Sequence, residues 1–280
     1  MNIKILSDST CDLSADLIAE NNISIVPLTV IKADEQFKDG ITIHPADIFQ
    51  HVANGGALCS TAANSIGEYT DVFSKYAPDY DGIIHINIGS GFSSCYQNAC
   101  LAAEEFPNVR VIDSQNLSTG QGLVVLKACE LAKTAADLDA LAEELRAFTA
   151  KVEASFLVDK LDYLVKGGRC SCAAALGANV LNLKPCIEVK DGKMVVVKKY
   201  RGKYDKCLAT YVKDRLADRD DVDRGTLFVT KTTVTDACYS AVTEAVNEYG
   251  HFEHTYETNA GCTVSCHCGP GTLGVLFVRK

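Results

Sequence analysis

The sequence predicts an α/β protein with two parts: an N-terminal parallel-sheet α/β domain and a C-terminal α+β domain with a mixed sheet. Three observations carry this. Through about residue 150, short apolar runs rich in Ile and Val alternate with amphipathic segments, and the apolar runs end in polar loops. That is the order of a parallel sheet wrapped by helices. Beyond that point the order changes, and Asp191-Gly192 between two apolar runs signals a hairpin. A chain of 280 residues, 47% apolar and 22% charged, suits two medium cores in a folded protein. The expected partition is 1–152 and 153–280.

Residues 3–6 form the first strand and run into Ser7-Asp8-Ser9-Thr10-Cys11-Asp12. Open α/β sheets place ligands at the carboxyl ends of such strands. Asp12 or Ser14 caps a helix reaching about residue 21, and a second strand over 24–31 is interrupted at Pro27. Asp39-Gly40 marks a turn, and Pro45 opens a helix to about residue 54. Residues 55–65 read as a loop, with a capped helix over 65–75.

The stretch 82–101 is the one the rest is arranged around. Its Ile-rich half favours a buried strand, and Tyr96, Ala99, Cys100 and Ala103 then share one helix face. Between them lies Gly89-Ser90-Gly91-Phe92-Ser93-Ser94. Free N–H groups at a helix start attract an anion, and hydroxyls can complete its coordination. An ordinary turn with Ser93 or Ser94 as N-cap fits this segment equally.

A strand over 109–112 leads to Asp113-Ser114, Ser118 to Gly122 begins a long apolar helix, and Leu138, Leu141, Leu145 and Phe148 stripe the next one. In the second half, Leu161 to Lys166 ends at Gly167-Gly168-Arg169, and a small-residue helix is expected over 173–178. The hairpin pairs 186–189 with 194–200. Helix 204–216, strand 226–230, helix 234–249 and strands 254–258 and 272–278 complete the chain.

Composition excludes several function classes. A net charge of −9 argues against a nucleic-acid surface as the main partner. No apolar run approaches the ~18 residues of a membrane span, and the first residues lack a signal-peptide pattern. A cytoplasmic protein is expected. The 13 cysteines are scattered through apolar patterns and read as small buried hydrophobes. Two close pairs stand apart, Cys170/Cys172 and Cys266/Cys268, the latter flanking His267. One intervening residue strains a tetrahedral metal site, so no metal is expected there.

Familiar catalytic motifs fail. The 89–94 loop lacks the third glycine of a dinucleotide fingerprint, and no glycine-rich stretch ends in Gly-Lys-Ser/Thr. Gly91-Phe92-Ser93-Ser94-Cys95 lacks the closing glycine of a nucleophile elbow. Ser93 as nucleophile with His267 as base, a lipid-ester hydrolase, is the alternative enzyme reading; the sequence offers no third group to orient the histidine. What remains is neutral hydroxyls and a few bases at element ends: Ser9, Thr10, Ser60, Thr61, Ser90, Ser93, Ser114, Ser118, Arg169, Arg201 and His267. Hydroxyls and arginine bind an oxyanion without reacting with it. His267 is expected in a tight turn, Cys266-His267-Cys268-Gly269-Pro270-Gly271.

Jointly these residues resemble the DegV family. Asp8-Ser9-Thr10 with Asp12-Leu13, Ser90-Gly91-Phe92-Ser93 with Tyr96-Gln97, and Asp113-Ser114 with Ser118, Gly120 and Gly122 fit it. So do Lys166-Gly167-Gly168-Arg169, Leu183-Lys184-Pro185, Asp191-Gly192-Lys193, Arg201-Gly202 and His267-Cys268-Gly269-Pro270-Gly271. The resemblance implies one long-chain fatty acid, and no cofactor, in a tunnel between the domains. It implies a carboxylate held by Thr61 and Ser93 with His267 close by. It further implies, as in some members, the role of acyl-carrying subunit to an ATP-dependent fatty acid kinase, with Arg201 near the phosphoryl transfer. The chain departs from the family at Ala62-Ala63-Asn64, where Gln-Pro-Ser is usual, at Ser94 and at Cys170. Burying ~14 methylenes at about 0.8 kcal/mol each gives on the order of 11 kcal/mol before the costs of binding. The tail would then supply affinity and the polar residues orientation. A His267 protonated near neutral pH would also stabilise an added phosphoryl charge.

Overall fold

The computed structural model describes residues 1–170 and 183–280. The first lobe runs β1 (Ile3–Asp8), a 3-10 turn (Ser9–Cys11), α1 (Ala15–Glu20), β2 (Ser24–Val26), β3 (Thr29–Lys32), β4 (Glu35–Lys38), α2 (Pro45–Ala53), β5 (Ser60–Ala62), α3 (Ile66–Tyr76), β6 (Gly82–Asn87), α4 (Cys95–Ala103), β7 (Val109–Asp113), α5 (Thr119–Ala132) and α6 (Leu138–Thr149). The second runs β8 (Val152–Val158), α7 (Asp162–Gly167), β9 (Leu183–Lys190), β10 (Lys193–Arg201), α8 (Tyr204–Leu216), β11 (Val222–Lys231), α9 (Asp236–Tyr249), β12 (His254–Asn259), α10 (Cys262–Cys268) and β13 (Thr272–Arg279). The helix expected over 173–178 lies outside the described residues.

The first sheet is parallel throughout, in the order β2-β1-β6-β7. Strand β6 is buried along its whole length, which explains its continuous Ile-rich run. Successive strands lie on opposite sides of β1, so a crevice opens between the carboxyl ends of β1 and β6. The second sheet is mixed, in the order β10-β9-β8-β13-β11-β12, antiparallel except where β11 meets β12. Its two faces follow the pleat. Leu157, Val275 and Phe277 face a core capped by α8 and α9, while Phe156 and Leu276 join a core continuous with the first lobe. Helix α5 packs against β1, β6, β8 and β13, so it lies between the two sheets.

Three elements differ from the sequence expectation. The strand expected over 24–31 is two strands in two sheets, because Pro27 cannot donate to a ladder; β2 pairs with β1, while β3 joins a small antiparallel sheet, β4-β3-β5. The loop expected over 55–65 contains β5, only three residues long. His267 sits in the last turn of α10 rather than in a tight turn.

Helix α10 is tied to the first lobe at its start. Asp39 accepts from Cys262 N (2.9 Å), Thr263 N (3.1 Å) and Thr263 Oγ1 (2.7 Å), and Asp12 accepts from Gly261 N (2.9 Å). Carboxylates satisfy the free N–H groups of a helix N-terminus and complement its dipole. Ser118 also donates to Asp12, at 2.6 Å, and burial pushes the Asp12 carboxyl up to about 8. Cys262 and Cys266 pack with Val30, Ile43, Ile48 and Cys59 in a small core of the first lobe. A helix from the second half of the chain is thus fixed in the first, and that fixes His267.

Candidate functional site

A cavity of about 120 Å³ opens where β5, the loop before α4 and α10 converge. Thr61, Ser93, Arg169 and His267 all line it, with Leu28, Ile88, Phe92, Leu117, Met194 and Val264 among its apolar walls. The nearest polar contact joins two strangers in sequence: Thr61 Oγ1 lies 2.8 Å from His267 Nε2. Register places Thr61 there, since Val30 of the buried β3 pairs with Thr61 on β5. The other imidazole nitrogen, Nδ1, is buried and has no hydrogen-bond partner among the described residues. Gly167 makes room for it, because a β-carbon there would stand 2.6 Å from Nδ1. Burial, reinforced by the nearby charge of Arg169, pulls the His267 pKa down to about 4. The imidazole is therefore held neutral at pH 7.

Ser93 accepts from Cys95 N (3.2 Å) and donates to Cys95 Sγ (3.1 Å) at the start of α4. Burial raises the Cys95 thiol to about 11, so it remains a neutral partner. A hydrolase would need a base on Ser93. The base-like nitrogen of His267 instead meets Thr61, and Nδ1 has no carboxylate to orient it among the described residues. Arg169 is exposed at the rim and donates to Gly167 O at 3.1 Å.

The other polar residues singled out in the sequence lie elsewhere. Ser9 donates to Asp39 (3.1 Å) and accepts from Leu28 N; Thr10 donates to Gln121 (2.7 Å); Ser114 donates to Asn116 O (3.0 Å). Ser90 is exposed and bonded to Asp113 through both its N and its Oγ. Ser60 is exposed on β5 beside Thr61. Arg201 ends β10, opposite Leu183, and lines none of the cavities described here. Ser118 lines a second cavity of about 30 Å³, with Ala154, Phe156, Val189, Gly274 and Leu276. This second cavity lies between the six-stranded sheet, α10 and the segment just before α5, and it shares Leu117, Val264 and Cys268 with the first. Sequence reasoning missed the lining of this inner chamber, because its wall combines residues of four separate strands with the segment before α5 and with α10.

The cysteine pairs part company. Cys266 faces the small core with Cys59 and Cys262, whereas Cys268 and Cys170 pack in the main core. Residues two apart on a helix point to different sides. Cys172 lies outside the described residues, and among those described no group of three or more His, Cys, Asp or Glu residues could hold a metal ion. No helix among them is long and apolar enough to cross a membrane.

Comparison with known proteins fits this arrangement. The family model that matches, described as "Uncharacterised protein, DegV family", covers residues 2–280. The chain belongs to the DegV family. A DegV domain-containing protein of Clostridium acetobutylicum is 31% identical over 280 residues, 99% of each chain. Among solved structures, one described as fatty acid binding of a DegV family protein from Thermus thermophilus superposes with a TM-score of 0.92 at 30% identity, over 100% of both chains. DegV of Bacillus subtilis, described as a fatty acid binding protein, gives 0.81 at 26% identity, again over 100% of both chains. The match to the DegV fold therefore spans the length of this chain.

Proposed function

We propose that this DegV protein binds a long-chain fatty acid in a tunnel between its two lobes, divided at residues 152/153, with the carboxylate in the outer cavity and the tail in the inner one. The observation that carries the reading is the convergence of Thr61, Ser93, Arg169 and His267 on one cavity, beside a second, apolar cavity that shares Leu117, Val264 and Cys268 as walls. Solved DegV relatives described as fatty acid binding proteins support it. Thr61 and Ser93 can each turn a hydroxyl toward a carboxylate oxygen. A carboxylate beside His267 offsets the burial that now holds the imidazole neutral, so binding draws a proton toward that ring. Arg169 at the rim adds long-range attraction for the anion without burying a charge pair.

The finer role is presentation of the bound carboxylate to an ATP-dependent kinase subunit that forms the acyl phosphate. Arg201, exposed and outside the cavity, is free to meet such a partner. Mild extraction of the purified protein followed by mass spectrometry tests the binding role; the expected result is about one equivalent of long-chain fatty acid. Protein that emerges lipid-free and takes up none when offered it contradicts the reading. Acyl-phosphate formation on mixing with kinase and ATP, lost on Arg201→Ala, tests the finer role.

A further inference from the structure

Gly91, inside the Ser90-Gly91-Phe92-Ser93 motif, and the Asp191-Gly192-Lys193 turn have no part in the site as described so far, yet the fold presses them together. The β9–β10 hairpin turns at Asp191 (φ 49°) and Gly192 (φ 69°), the two left-handed residues of a type I′ turn. Its tip lies on the first lobe. A β-carbon at Gly91 would stand 2.2 Å from the Gly192 carbonyl oxygen, so only glycine admits the contact. From below, the same loop is held by its own lobe: Gly89 N donates to Asn116 O at 2.7 Å, and Ser90 is bonded to Asp113. Immediately after this clamped segment, Phe92 and Ser93 line the outer cavity. The hairpin itself contributes Met194 to the outer cavity and Val189 to the inner one.

We infer that the Gly91–Gly192 contact is a clasp between the lobes that positions Ser93 for the ligand's head group, making both glycines positioning residues. The inference rests on the fatty-acid reading above. Asp113 and Asn116 fix the loop's height, and the Gly192 carbonyl fixes how far it can rise toward the second lobe. Ser93 is then presented at one setting when a carboxylate arrives, and the ordering cost is met before binding.

The test compares hexadecanoic acid with its methyl ester on delipidated protein. Gly91→Ala pushes the hairpin tip off the loop. The expected result is acid affinity lowered about tenfold, ester affinity changed by less than about twofold, and a Gly91→Ala/Ser93→Ala double variant no weaker for the acid than Gly91→Ala alone. A folded Gly91→Ala protein that binds the acid as wild type does overturns the clasp. So does full additivity in the double variant. Should Gly91→Ala not fold, hydrogen exchange on the wild type decides: hexadecanoic acid protects amides 92–95 and 191–194 together, and protection of the first segment alone overturns the inference. Wild-type protein that binds no hexadecanoic acid removes the functional reading beneath the clasp, and the clasp with it. That result is distinct from a binder that ignores Gly91.

Discussion

Two histidines in the first lobe's surroundings make the instructive contrast. His85, on β6, is fully buried in a closed polar cluster. Asp8 accepts from Tyr69 OH (2.9 Å), Asn87 Nδ2 (2.9 Å) and Ile88 N (3.1 Å), and His85 Nε2 lies 3.4 Å from it. Tyr69 and Phe73 set their rings edge-on to the imidazole. His267 Nε2 meets Thr61, with a cavity in front of the ring. In both histidines Nδ1 is buried and has no side-chain hydrogen-bond partner among the described residues. Buried polarity alone therefore does not distinguish scaffold from site. What differs is that the cluster around Asp8 is sealed by core side chains, while the Thr61–His267 pair faces open volume.

The largest effect should come from breaking the sealed cluster. Asp8→Ala strands the donors of Tyr69, Asn87 and Ile88, and is expected to cost about 3–5 kcal/mol in denaturant unfolding. A loss under about 1 kcal/mol would mean the cluster is not the structural member of the pair. Next comes pH. The fold lowers the His267 pKa from 6.5 to about 4, so between those values the unfolded chain binds more protons. Stability carried by the neutral ring is complete above pH 6.5 and falls as pH drops toward 4, by about 3 kcal/mol in all. Asp12, raised to about 8, acts with the opposite sign, but equally in wild type and in His267→Gln. The change in urea midpoint from pH 7 to pH 4.5 should therefore be less favourable for wild type than for His267→Gln; equal changes break the contrast.

Thr61→Val removes a hydroxyl while keeping its volume. It is expected to weaken hexadecanoic acid binding about tenfold, with stability changed by less than about 1 kcal/mol, as calorimetry and thermal melts would report. The smallest effect on stability is expected from Gly167→Ala. The new methyl crowds His267 Nδ1, the ring rotates off Thr61, and unfolding shifts by about 1 kcal/mol or less. Acid binding should nonetheless fall as it does for Thr61→Val, which isothermal titration would reveal.

Much of this was legible in the sequence because it depends on local chemistry. The strand–loop–helix at 82–101, the type I′ turn at Asp191-Gly192 and the Pro45 helix start each follow from residues within a few positions. The grouping of Thr61, Ser93 and His267 came from family resemblance; no spacing rule joins residues 61 and 267. Strand β5 escaped notice because three residues, Ser-Thr-Ala, carry no period, and α10 because cysteines and a Gly-Pro-Gly stop look like a turn. The neutral state of His267 was unreadable as well, since it depends on burial created by distant segments.

The account depends most on the outer cavity recognising an acid rather than only housing an apolar chain. Equilibrium binding of hexadecanoic acid and of its methyl ester to delipidated wild-type protein tests this directly. The account predicts the acid bound at least about tenfold more tightly. Equal affinity for the two would contradict it.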